Sequence, residues 1–224
     1  MDAHEELLTE WSQRKHHQGH CFIKDGIIDS TRWKSASPRV LFLLKEARHE
    51  GSSWDLREFI RESGPKSPTF WNAAYWCYAI HHIALGQVPR FPIEKQSKDE
   101  AAELFRSSAV VNIKKSGGTV QSVHDDLERY GQQDGSYIKK QIDLIDPQIV
   151  ICGYTWCYVK HLWPDAQDGG YDLVLRVGGR VFIDFWHPAS YQKSLEQLKY
   201  YALTCLLQNS HVLSKLALAG RNPG

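Results

Sequence analysis

No stretch of this 224-residue chain approaches the run of about 18 apolar residues that a membrane-spanning helix needs. Its opening, M-D-A-H-E-E-L-L, is too acidic for a secretion signal. Cysteine is sparse and dispersed: Cys21, Cys77, Cys152, Cys157 and Cys205 sit singly in apolar or helical contexts, and an odd number argues against a disulfide framework. Cys152 and Cys157 have no second pair at metal-ligand spacing, so structural thiols outrank a zinc or iron–sulfur site. Charge of one sign is also missing. Lysine and arginine number 27 against 26 aspartates and glutamates, a net +1. A protein that holds long duplexes electrostatically carries a larger basic excess, so any nucleic-acid contact must be local. These absences leave a soluble, cytoplasmic protein as the expectation. With 42% hydrophobic residues it can bury one sizeable core, which predicts a single domain over 1–224.

What is present is organised around residues 40–49, V-L-F-L-L-K-E-A-R-H. Five consecutive large apolar residues predict a strand buried on both faces, as inside a parallel sheet, because a half-exposed strand would alternate. Glu46 then stands just past the carboxyl end of a central strand, the edge where open α/β sheets bind ligands. Two readings of Lys45 and Glu46 follow: the strand's exit into solvent, or a site of chemistry.

In chain order, residues 2–16 predict a first helix with Leu7, Leu8 and Trp11 on one face. His16, His17 and His20 follow it, but no carboxylate or cysteine completes a ligand set at helical spacing, which favours a solvated helix end. After the central strand, Gly51-Ser52-Ser53 offers a turn and N-cap, and residues 54–62 read as a helix. Ser67-Pro68 opens a longer helix dense in aromatics, residues 87–96 form a Pro-punctuated loop, and residues 97–106 a short helix. Residues 109–113 predict a second strand. Asn112 near its end either stabilises a loop or faces a ligand, since a buried amide is costly unless hydrogen-bonded. Ser116-Gly117-Gly118 beyond it predicts a turn whose backbone could approach a phosphate. One or two helices cover 121–145, and residues 148–152 form a third strand whose Gly153 leads into a helix. Gly178-Gly179 spells a two-residue hairpin whose second arm, 181–185, runs into W-H-P-A-S-Y, and a helix over 192–208 precedes a frayed tail at 220–224. The expected architecture is three-layer α/β/α, with a mostly parallel sheet of about four strands and a core over roughly 38–208.

Four segments carry a family resemblance: K-E-A-R-H at 45–49 after a strand, F-W-N at 70–72, A-V-V-N-I-K-K at 109–115, and I-D-L-I-D-P-Q-I-V-I-C-G with F-W-H-P-A-S-Y. In their order and spacing after strands they resemble the uracil-DNA glycosylase superfamily, within it the branch related to the iron–sulfur enzymes. That resemblance implies a uracil-DNA-glycosylase-like fold. It implies that Glu46 activates water or stabilises the sugar cation, that Asn112 reads a pyrimidine edge, and that His187 supports negative charge on the departing base. Lys114, Lys115, Ser116, Gly117 and Ser190 correspond to backbone-phosphate contacts, and Trp54 is the expected stacking platform for a flipped base.

The departures are also informative. The family's first segment typically reads Gly-Glu-Ala-Pro-Gly, and here Lys45, Arg48 and His49 replace its two glycines and proline, giving a bulkier, more cationic pocket floor that contacts the substrate. None of the four cluster cysteines matches, which removes the iron–sulfur site and leaves no cofactor or metal implied. The function implied is a monofunctional DNA glycosylase, acting as a monomer on DNA with a flipped nucleotide and leaving an abasic site. Its target would be a pyrimidine with a bulky polar substituent, such as glycosylated hydroxymethylcytosine, as in those superfamily members that serve antiphage defence. Two other classes keep the fold: a non-catalytic reader of modified nucleic acid, and a nucleoside or nucleotide hydrolase.

Overall fold

The computed structural model describes residues 2–48, 51–92, 94–118, 122–171, 173–189 and 192–210. Helix α1 (Ala3–Ser12) is capped by the Asp2 carboxylate, which accepts the His4 N–H, and it buries Leu7, Leu8 and Trp11 as their spacing predicts. Then come β1 (Ile23–Lys24), β2 (Gly26–Ile27), α2 (Ser30–Ser35), β3 (Val40–Arg48), β4 (Trp54–Asp55), α3 (Leu56–Ser63), α4 (Pro68–Ala84) and α5 (Lys95–Arg106). The second half holds β5 (Ala109–Gly118), α6 (His124–Gln133), α7 (Gly135–Ile145), β6 (Ile149–Gly153), α8 (Trp156–Val159), β7 (Gln167–Tyr171), β8 (Val174–Val177), β9 (Arg180–Phe185) and α9 (Lys193–Asn209).

The four predicted strands form the parallel heart of the sheet, adjacent in the order β5-β3-β6-β9. Both faces of β3 are covered. Val40, Phe42 and Leu44 join a core with residues of α3, α4, α5 and α9, while Leu41 and Leu43 join a second core with residues of α1, α6 and α7. The same alternation runs through β5, β6 and β9, which is why these segments read as continuous apolar runs. The architecture is therefore α/β, with helices on both faces of a mostly parallel sheet.

The sheet is larger than the expected four strands. Among the described residues seven are present in the order β2-β5-β3-β6-β9-β8-β7, because β2 pairs antiparallel with the outer edge of β5 while β8 and β7 extend the other side. The predicted Gly178-Gly179 hairpin joins β8 to β9, with Gly178 at a φ of 59°. Short two- to five-residue strands with little apolar content, such as G-I and Q-D-G-G-Y, carry no periodic signal.

Two boundaries also differ from expectation. Residues 54 and 55 form β4 rather than the start of a helix, and the Asp55 side chain, not a serine, caps α3 by accepting the Arg57 N–H. The anticipated turn after residue 115 does not form either. Strand β5 runs on through Gly118, pairing Glu46 with Lys114 and Arg48 with Gly118, and Phe22 bridges to Ser116.

A buried carboxylate explains that extension. Asp25, fully buried between β1 and β2, accepts the Asn112 N–H at 2.8 Å, the Asn112 side-chain amide at 3.1 Å, the Gln141 amide at 3.0 Å and the Lys115 ammonium. Lys115, itself fully buried, also donates to Gln141 Oε1 at 2.9 Å and lies over the Trp11 ring. Removing the carboxylate takes the acceptor from four donors, one of them an ammonium, whereas removing the lysine leaves Asp25 with three N–H bonds. Asp25→Ala is therefore expected to cost about 3–5 kcal/mol of stability and Lys115→Met distinctly less, measured by equilibrium urea denaturation. Equal losses would place the energy in the ion pair alone.

Candidate active site

The four parallel strands all end at one sheet edge. In chain order β3, β5, β6 and β9 lie side by side as 2-1-3-4, so the connections leaving β3 and β6 diverge to opposite faces, the arrangement at which open α/β sheets form a crevice between carboxyl ends. Glu46, on β3, and His187, just beyond β9, both belong to this edge.

Glu46 is enclosed. Its side chain is 5% exposed and its Oε2 lies 3.1 Å from Lys114 Nζ. A Cβ added to Gly118 would fall 2.5 Å from Glu46 Cγ and Cδ, so the missing side chain at 118 is what makes room for the carboxylate. Lys114 also donates to Asp126 at 2.6 Å. Burial opposes its charge, but Asp126 and Glu46 outweigh this and raise its pKa.

His187 sits in a turn whose backbone is held at three consecutive carbonyls. Lys199 Nζ donates to the oxygens of His187 at 2.9 Å and Ala189 at 3.0 Å, and the buried Asn72 amide donates to that of Pro188 at 2.6 Å. Gly153 lets this turn close onto β6 and β3. A Cβ there would lie 2.9 Å from Leu44 Cδ2, 3.1 Å from Pro188 Cδ and 3.4 Å from His187 Cα. His187 Nδ1 accepts the Ala189 N–H at 3.1 Å, which places the ring proton of the neutral imidazole on Nε2. Burial, then the charges of Lys45 and Lys199, lower the His187 pKa from 6.5 to about 4. Lys199 is itself nearly buried and its pKa falls by desolvation, partly opposed by Glu196. The result is a neutral imidazole presenting one hydrogen-bond donor from a fixed turn.

The other residues implicated by the family resemblance are distributed differently. Lys45 is half-buried, with its ammonium 5.8 Å from the centre of the Tyr154 ring, and Arg48 is exposed at the end of β3. His49 and Ser190 lie outside the described residues. The Asn112 side chain is 3% exposed with its amide nitrogen on Asp25, so the donor expected to read a pyrimidine edge is engaged within the fold. Three of the phosphate candidates are turned inward. Lys115 is buried on Asp25, Ser116 Oγ meets His17 Nδ1 and Tyr130 Oη, and the Gly117 N–H donates to Cys21 Sγ at 3.2 Å. Lys114 is spent on two carboxylates. Strand pairing through Gly118 replaces the turn that would have presented these groups to a phosphate. Trp54 is half-buried in β4, edge-on to Phe59 at 5.6 Å.

Sequence reasoning missed three contributors. Tyr154 follows Gly153 at the crevice with a φ of 54°, a conformation non-glycine residues avoid, and is 52% exposed. Its position after a strand-ending glycine was the available signal. Asn72 was visible only within the F-W-N segment, and nothing in the spacing of α9 marks Lys199. Cavities of about 360 Å³, between α2, α4 and α5, and about 550 Å³, between α4 and α9, contain neither Glu46 nor His187. The strand-end edge is preferred because the elements carrying the fixed donor and the enclosed carboxylate both end there.

No protein-family model matches this chain, and no curated protein matches it.

A histidine depressed to about 4 makes a directional statement. Folding favours its neutral form, so that contribution to stability is complete above pH 6.5 and is lost as pH falls from there through about 4. An NMR titration is expected to give a His187 midpoint near 4, and Lys199→Met should move it back toward 6.5. An unmoved midpoint would show that burial and Lys45 suffice.

Proposed function

We infer that this protein is a DNA glycosylase that hydrolyses the N-glycosidic bond of a modified pyrimidine and leaves an abasic site. The observation that carries this reading is the pairing, at one sheet edge, of an enclosed carboxylate on β3 with a neutral, backbone-clamped histidine after β9. Two strand intervals of about 4.8 Å separate β3 from β9, so the strand ends stand roughly 10 Å apart, enough for a nucleotide between them.

The chemistry needs two groups of this kind. As the bond from C1′ to the base nitrogen breaks, positive charge builds on the sugar and negative charge on the base. Glu46 stabilises the sugar cation and orients water, whose oxygen bonds to C1′ while its proton passes to the carboxylate. His187 donates from Nε2 to the base oxygen that gains charge. A neutral imidazole supplies this bond without first binding a proton, and the fixed turn needs no reorganisation at the moment of reaction. Tyr154, exposed at the crevice beside Lys45, provides an aromatic surface for the extruded base.

Substrate preference follows from the donors. With the Asn112 amide nitrogen engaged by Asp25, recognition falls to Lys45 and Arg48, which reward hydroxyl or sugar substituents over a bare pyrimidine edge. The low net charge suits a local grip on one nucleotide, and defence against phage with modified DNA is the setting in which such a base is met.

An assay of abasic-site formation on a panel of DNAs tests this directly. Excision is expected from DNA carrying glycosylated hydroxymethylcytosine and little or none from uracil. Glu46→Gln should lower base release by ~10²–10⁴ with DNA affinity retained. Gly118→Ala, by pushing the Glu46 side chain off Lys114, should reduce release in the same direction with little loss of fold stability. Release by Glu46→Gln within a few-fold of the parent would remove Glu46 from the chemistry.

A further inference from the structure

The turn Lys15–His17 after α1 sets two adjacent histidine rings side by side, their centres 4.4 Å apart. Their spacing in sequence offers no carboxylate, and a solvated helix end was the expectation. The fold overturns it: His17 is 2% exposed, and both rings meet Asp134, the fully buried residue between α6 and α7. His16 Nε2 lies 2.9 Å from Asp134 Oδ1 and His17 Nε2 2.9 Å from Oδ2. One donor atom from each of the three residues falls within 4.8 Å of the others.

That geometry is close to a metal's. Zinc bonds of about 2.0–2.2 Å to nitrogen and oxygen place tetrahedral ligand atoms roughly 3.3–3.5 Å apart, so the three donors need only small shifts to enclose an ion. The surroundings have the character of an outer shell. His17 Nδ1 lies 3.1 Å from Ser116 Oγ, which is 2.9 Å from Tyr130 Oη, so the far side of the ring is already hydrogen-bonded, as for most metal-ligating histidines. With an ion on Nε2, the Nδ1 proton would be donated to Ser116. His16, 19% exposed at its side chain, opens the cluster to solvent, which supplies a path and a fourth ligand. Arg14 Nη1, 3.5 Å from Asp134 Oδ1, is the one cation among the described residues paired there, and with its side chain 30% exposed it can swing outward.

We propose that His16, His17 and Asp134 bind one divalent transition ion of the zinc class, which ties the segment after α1 to the α6–α7 junction at the end of β5. Neutral imidazoles and one carboxylate favour zinc or cobalt over calcium or magnesium, which select oxygen ligands. The competing description is a hydrogen-bonded His–Asp–His cluster only.

The test uses the untagged full chain, stripped with a chelator and titrated with zinc by calorimetry and with cobalt by visible absorption. One zinc per chain is expected, raising the melting temperature, with cobalt giving tetrahedral d–d bands and no thiolate charge-transfer band. His16→Gln, at the partly exposed ligand, should weaken zinc binding by ~100-fold or more while far-UV circular dichroism stays unchanged; His20→Gln should leave binding as in the parent. The parent's cobalt spectrum stands independently of whether Asp134→Asn or His17→Gln folds. Absence of stoichiometric zinc uptake, a thiolate band, or binding unchanged in folded His16→Gln would each overturn the site and leave the hydrogen-bonded cluster.

Discussion

A single buried carboxylate sets the geometry of the β5 side of this sheet. Asp25 gathers the Asn112 backbone and side chain, Gln141 and Lys115, and so joins the β1–β2 segment, strand β5 and helix α7. An ionised group out of water must find donors, and these donors come from elements far apart in the chain. Holding Lys115 inward keeps β5 paired with β3 past residue 115, and Lys114 beside it on that strand meets Glu46 and, on α6, Asp126. The position of the candidate catalytic carboxylate thus rests, at one remove, on Asp25.

The same economy of partners governs the histidine turn. Three carbonyls in succession cannot all find donors from a tight backbone turn, and here Asn72 from α4 and Lys199 from α9 supply them. The lysine does a second thing. Its charge, held on the His187 and Ala189 carbonyls, joins burial and Lys45 in disfavouring the imidazolium. Positioning and proton state are therefore set together, which suits a group whose proposed role is to donate one hydrogen bond to a developing anion.

The chemistry of the two ends of β5 differs for a reason rooted in its pairing. Were the strand to stop at residue 115, Lys114 to Gly118 would be free to form an anion-binding loop. Continued pairing with β3, a bridge from Phe22 and the Cys21 and His17 contacts turn that stretch into structure. The backbone and side chains of that stretch are therefore spent on the fold.

The layered fold was legible from the apolar runs of β3, β5, β6 and β9, because burial on both faces requires unbroken hydrophobic strands and that demand is local in sequence. The edge position of Glu46 and His187 followed from the same logic, since a strand's carboxyl end can be read wherever its apolar run stops. The partners of the polar residues could not be read that way. Asn112 and Asp25 lie 87 positions apart, Lys115 and Asp25 90, and His17 and Asp134 117. No periodicity relates such pairs. A polar side chain at a strand end carries the same letter whether it faces a ligand or a buried partner, and only the packing of α1, α6 and α7 against the sheet decided that Asn112, Lys115, Ser116 and His17 are satisfied inside, that Glu46 is closed in by Gly118 and Lys114, and that the His187 turn is clamped by Asn72 and Lys199.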